Sequence, residues 1–137
     1  MIPDRILEQG TLTTDGTRTA VEVRIPWYRA LPASCISEVA LSVDGVAAPA
    51  DSLTWTMNGE TRPIAELATR ADDWWFPLDS AVLAGDLPVQ EGGEHRVDVE
   101  LKLYIPYIII GDDGEVLRIE EHDTKSMPAT SAKEAVA

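Results

Sequence analysis

Between Arg96 and Ile105 the chain changes polarity at every step. Val97, Val99, Leu101, Leu103 and Ile105 fall on one side, and Arg96, Asp98, Glu100, Lys102 and Tyr104 on the other. Alternation with period two belongs to an extended strand, not to a helix. Such a strand lays one face on a core and wets the other. Gly92-Gly93 precedes it and Pro106 interrupts its end. Ile108-Ile109-Ile110 follows as an apolar run that needs cover on both faces, and Gly111-Asp112-Asp113-Gly114 turns the chain.

The same period recurs elsewhere. Residues 19–27 set Val21, Val23, Ile25 and Trp27 against Glu22 and Arg24, with Pro26 marking the strand end or an edge. Residues 38–44 place Val39, Leu41 and Val43 inward, and 52–57 do the same with Leu53, Trp55 and Met57. Asp44-Gly45 and Asn58-Gly59 are two-residue hairpin signals, because both positions of each tolerate positive φ. Glu115 to Glu121 reads as a returning strand with Leu117 and Ile119 inward. Helix is scarce: Pro63 to Arg70 could make two turns with Pro63 at the first position, and Ser80 to Ala84 a single turn. The expectation is an all-β fold, an antiparallel β-sandwich of immunoglobulin-like or related topology with one or two short helical turns. One domain is expected over residues 1–123. The small, polar stretch 124–137 is expected to be a flexible tail or to order against a partner.

Composition excludes several functions. The 137 residues hold 24 Asp+Glu against 11 Lys+Arg, a net charge of −13. That surface repels phosphate, which argues against nucleic acid and anionic membranes as partners. Hydrophobic residues make up 45%, enough for a packed core. The longest apolar stretch, Tyr104 to Ile110, is too short to span a bilayer, and Met1-Ile-Pro-Asp-Arg-Ile6 has no signal-peptide pattern. A cytoplasmic protein is expected, and the single Cys35 is compatible with that.

Catalytic candidates are poor. Ser34-Cys35 sits in no nucleophile motif, and Cys35 opens a strand, where a free thiol behaves as a small hydrophobe. His95 lies at a strand start, a position expected to be a solvated turn. Glu120-Glu121-His122-Asp123 has the residue types of a metal site but runs into the presumed tail, and it reads as solvated charge. No catalytic and no metal-binding residue is assigned to this chain, and no cofactor is expected on it.

The aromatic segments are more informative. Trp27-Tyr28-Arg29 leads into Ala30-Leu31-Pro32, and Trp74-Trp75-Phe76 puts three aromatics in a row. Neighbours in a strand point opposite ways, so one of the three at least must face outward. Trp, Tyr and Arg are enriched at interface hot spots, and flat aromatic rings also stack on sugars. Three uses stay open for Trp74–Phe76: a cap on the core, a partner interface or a ligand platform. The residues taken as a partner interface are Trp27, Tyr28, Arg29, Leu31, Pro32, Trp74, Trp75, Phe76 and Tyr107.

The run Arg24-Ile-Pro-Trp-Tyr-Arg-Ala-Leu-Pro-Ala-Ser-Cys-Ile36, then Val43-Asp-Gly45, resembles the small (beta) subunit of bacterial C-glycoside deglycosidases. Asn58-Gly59, Trp74-Trp75-Phe76, Gly92-Gly-Glu-His-Arg-Val97 and Tyr104-Ile-Pro-Tyr107 follow in the same order, so the likeness spans roughly residues 1–128. The resemblance implies a β-sandwich packed against a larger, TIM-barrel-like catalytic subunit that carries a divalent metal, Mn²⁺. It implies that the complex cleaves the sugar–aglycone C–C bond of 3-oxo-C-glycosides by β-elimination. This chain would be the non-catalytic partner that stabilises the barrel and shapes the site mouth. A stand-alone carbohydrate-binding sandwich, or a structural subunit of another assembly, is the alternative.

Overall fold

A computed structural model describes residues 6–26, 29–70, 72–77, 79–110 and 114–131, with the backbone alone at 106, 107 and 110. The strands in chain order are β1 (Thr13–Thr14), β2 (Thr19–Val23), β3 (Leu31–Pro32), β4 (Ile36–Val43), β5 (Val46–Ala47) and β6 (Thr54–Met57). They continue with β7 (Glu60–Pro63), β8 (Trp74–Trp75), β9 (Ala81–Gly85), β10 (Glu94–Ile110), β11 (Glu115–Pro128) and β12 (Thr130–Ser131). One sheet runs β12-β1-β2-β9-β6-β7, a second β11-β10-β4-β5, and β3-β8 forms a separate ribbon. Every pairing is antiparallel except β1 with β12. The fold is an all-β sandwich. Among the described residues no helix is long and apolar enough to cross a membrane.

The period-two segments are strands, as their alternation demands. In β10 the inward row Val97, Val99, Leu101, Leu103 and Ile105 is buried. This row meets Val21, Val23, Leu53, Trp55 and Leu83 in one continuous core. Asp44-Gly45 and Asn58-Gly59 both close two-residue hairpins, with φ of 53° and 81° in the first and 54° and 81° in the second. Those values belong to the mirror-image turn whose twist matches paired strands.

Two expectations about the elements are corrected, and the helical one over Pro63 to Arg70 holds with Pro63 shifted from first position to cap. Ser80–Ala84 is no helical turn. Ala81–Gly85 is the central strand β9, paired to β2 on one side and β6 on the other, and two ladders outweigh the helix preference of Ala and Leu. Pro63 to Arg70 makes a 3₁₀ helix over Ile64–Thr69, with Pro63 as its cap and the last residue of β7. The domain does not end at residue 123. β11 continues to Pro128, Met127 and Ala129 are buried, and Thr130 N donates to Leu12 O at 3.0 Å.

The C-terminal half of β11 looked like a tail because its inward face is polar. Asp123, only 6% exposed, accepts from Leu7 N at 2.9 Å and from Lys125 Nζ at 2.7 Å. Lys125 Nζ also donates to Leu7 O at 3.0 Å. The buried carboxylate and the half-buried ammonium thereby satisfy each other and the backbone of the N-terminal segment, which is the condition for burying the carboxylate at all.

His95 is no solvated turn residue either. Its Nδ1 donates to Asp44 Oδ2 at 2.7 Å, and its Nε2 faces Gln90 O at 2.9 Å and Gly92 O at 3.0 Å. Only an imidazolium supplies a proton to both sides. Asp44 Oδ1 also accepts from Arg96 N at 2.9 Å. The ring therefore staples the β4–β5 turn to the β9–β10 connection.

Gly85 sits where no side chain would fit. A Cβ there would stand 2.8 Å from both Ala48 Cβ and Leu53 Cδ2. Gly85→Ala is expected to cost about 1–3 kcal/mol through overpacking, read as a lower urea midpoint. The hydrogen bond to Asp44, helped by the Gly92 and Gln90 carbonyls, raises the His95 pKa above its ordinary 6.5. A raised folded pKa gives stability that is complete below the unfolded value and lost as pH rises through the folded one. Wild type should therefore exceed His95→Gln in urea midpoint at about pH 6, and the gap should shrink as pH climbs toward about 9. An unchanged gap across that range would mean the ring is not held as an imidazolium.

Candidate functional site

The β3-β8 ribbon decides which aromatics face out. Leu31 pairs with Trp75 and Pro32 with Trp74. Leu31 and Trp75 point inward and are 2% and 1% exposed. Trp75 packs edge-on to Trp55, with ring centroids 4.9 Å apart and planes at 85°, and its Nε1 donates to Asp79 O at 3.2 Å. Leu31 and Trp75, expected at a partner surface, are thus committed to the chain's own core by the strand period. Trp74 and Phe76 lie on the other side and are 44% and 49% exposed. Pro32 is half-buried and Arg29 exposed. Trp27, Tyr28 and the Tyr107 side chain lie outside the described residues.

The outward ribbon face is braced from behind. Ala33 N donates to Asp73 O at 2.7 Å, and Ser34 N to Arg70 O at 3.2 Å. Asn58 Nδ2 donates to both Asp73 Oδ1 and Trp74 O at 3.0 Å. Arg62 pairs with Glu60, and lies 3.9 Å from Glu66 and 4.0 Å from Asp73. Asn58, Glu60, Arg62, Arg70, Asp72 and Asp73 line a polar cleft of about 230 Å³. From its neighbours in the chain Asn58 reads only as a turn residue. Its use as the brace under Trp74 depends on a contact with the distant Asp73, which no local pattern announces.

Chemistry elsewhere is muted. Cys35 is buried, and burial pushes its thiol pKa up, away from the reactive thiolate. His95 has an aspartate on one nitrogen, but backbone carbonyls rather than a nucleophile occupy the other. That arrangement stabilises a cation and leaves no lone pair for a general base. Period two also splits the Glu120–Asp123 cluster: Glu120 and His122 face solvent, while Asp123 is turned inward to Lys125. Among the described residues no three His, Cys, Asp or Glu side chains are grouped so as to hold a metal ion.

The profile of the family described as C-glycoside deglycosidase beta subunit matches residues 6–107. A C-glycoside deglycosidase beta subunit of Microbacterium trichothecenolyticum is 61% identical over 132 residues, 96% of this chain and all of the relative. One of Arthrobacter globiformis is 65% identical over 128 residues, 93% of this chain and 96% of the relative. A 3'-dehydrocarminate deglycosidase beta subunit of a Microbacterium species is 38% identical over 127 residues, 93% of this chain and 95% of the relative. The likeness takes in the ribbon, the braced aromatics and the long hairpin strand together, and the chain belongs to the C-glycoside deglycosidase beta subunit family.

Proposed function

We propose that this chain is the non-catalytic small subunit of a heteromeric, metal-dependent C-glycoside deglycosidase in the bacterial cytoplasm. The complex cleaves the sugar–aglycone C–C bond of 3-oxo-C-glycosides by β-elimination. The large, TIM-barrel-like subunit carries the divalent metal, Mn²⁺, and the catalytic base. Family membership supports the subunit role, and the 3'-dehydro substrate in one relative's name supports an oxidised sugar. The observation that carries the reading is the pair Trp74 and Phe76, held outward on a braced ribbon.

The chemistry explains why a second subunit is needed. A C–C glycosidic bond has no leaving oxygen to protonate, so two-carboxylate hydrolysis does not apply. A 3-ketone acidifies the C2 proton; after a base removes it, the C1–C2 double bond forms as the C1–aglycone bond breaks, and the aglycone carbon takes up a proton from an acid of the large subunit. No residue of this chain takes the C2 proton in our reading. The small subunit contributes surface: it buries its aromatics on the barrel and narrows the mouth of the site. A permanent interface of this kind usually buries about 2,000 Å² or more.

The test is aglycone release from a 3-oxo-C-glycoside with Mn²⁺, by this chain, by the large subunit and by both co-expressed. Release is expected from the pair and not from this chain alone. The Trp74→Ala, Phe76→Ala double variant should weaken the complex by roughly thirtyfold, corresponding to a hot spot of about 2 kcal/mol. Its own stability should stay within about 0.5 kcal/mol of wild type, because both rings are exposed. Trp75→Ala should instead cost about 3–5 kcal/mol of folding stability. Full affinity in the double variant would remove the aromatic pair from the interface.

A further inference from the structure

β4 pairs with β10 from Val43 opposite Val97 to Ile36 opposite Leu103, and then leaves the sheet. β10 and β11 do not stop there. Ile105 pairs with Leu117, and after a bulge at 106–108 Ile109 pairs with Val116 and Ile110 with Glu115. Past Leu103 the sheet has narrowed to a two-stranded ribbon, which on its own is marginally stable in water. Its composition compounds the problem. Ile108 and Leu117 pack back on the core, but Ile109 points away from it and is 66% exposed, the most exposed large hydrophobic side chain among the described residues.

We propose that this ribbon, β10 from Tyr104 to Ile110 with its β11 partners Glu115 to Arg118, is a docking arm that the large subunit covers, with Ile109 seated in an apolar pocket of that subunit. The proposal rests on the small-subunit reading above. A second copy of this chain is the wrong occupant, because two chains each of net charge −13 would have to meet. The fitting partner has an apolar pocket with a Lys or Arg at its rim, facing the exposed Glu115.

The arm is also continuous with the outward aromatics. Ile36, opposite Leu103, follows directly on the 3₁₀ turn Ala33–Cys35, and Ala33 N is bonded to Asp73 O beside Trp74. One partner face can therefore reach Trp74, Phe76 and Ile109 together. The remaining exposed large hydrophobic, Val46, sits on β5 opposite Val43, at the far end of the sandwich.

The experiment uses the full chain with the tagged large subunit and reads the Kd of the complex. Ile109→Asp is expected to raise it at least tenfold while leaving the free chain's circular dichroism and Tm as in wild type. Ile109→Thr, which keeps the β-branched shape, should move Kd the same way by a smaller factor and serves if the aspartate variant folds poorly. Val46→Asp should bind as wild type. Wild-type Kd for both Ile109 variants, with the Trp74→Ala, Phe76→Ala variant still weakened, would overturn the arm and leave the small-subunit reading standing. Failure of wild type itself to bind would overturn both.

Discussion

A mismatch of strand lengths organises this molecule. β10 pairs with β11 along nearly its whole length but with β4 over only its middle. Where β4 lets go at Ile36, the chain entering it must come from somewhere other than the sheet. It comes from the 3₁₀ turn Ala33–Cys35 and, before that, from β3. A two-residue strand cannot satisfy its backbone alone, so β3 recruits β8, and the register of Leu31 on Trp75 follows. That register puts Trp75 into the core and Trp74 outside. The outward aromatic surface and the projecting hairpin are thus two consequences of one strand ending early.

The sequence was legible where one face of a strand is wet. β10, β2 and β6 announce themselves because water on one side and core on the other enforce alternation. β9 carries no such mark: Ala-Val-Leu-Ala is apolar throughout, and its alternation survives only in burial, with Ala81 and Leu83 buried and Val82 and Ala84 half-buried. The distal half of β11 fails for the opposite reason. Asp123 and Lys125 occupy inward positions, and their polarity hides a strand that is held by their bonds to Leu7. The rule that neighbouring aromatics must split between faces was sound for Trp74–Phe76. Which ring goes where depends on a partner strand some forty residues away, and no local pattern contains that.

His95 and Asp44 illustrate how a catalytic residue pair can be assembled and still be inert. A general base needs an unprotonated nitrogen aimed at a substrate. Here three acceptors surround the ring, and the charged form is the one they favour. Asp44 is held below the usual carboxylate range first by that same hydrogen bond and then by Arg96 N. The pair is a structural cross-link between segments 51 residues apart in sequence.

The two ends of the sandwich therefore differ in kind. At the His95 end, polar groups satisfy one another: Asp15 Oδ1 accepts from Thr17 N, Thr17 Oγ1 and Arg18 N, and Arg18 Nη1 reaches Asp86 at 2.8 Å. Such turns cost little in water, and covering them with another protein would bring little gain, because their hydrogen bonds are already made. At the other end Asn58 and Asp73 brace the ribbon, but Arg62 Nε and Arg70 Nε are buried without a hydrogen-bond partner, and Trp74, Phe76 and Ile109 stay in contact with water. Exposed apolar area is the term that association removes, at about 25 cal/mol per Å². A fold that leaves large hydrophobic side chains and two buried guanidinium nitrogens unmatched at one end is unfinished as a surface there. The end bearing Trp74, Phe76 and Ile109 is where a second subunit has most to contribute.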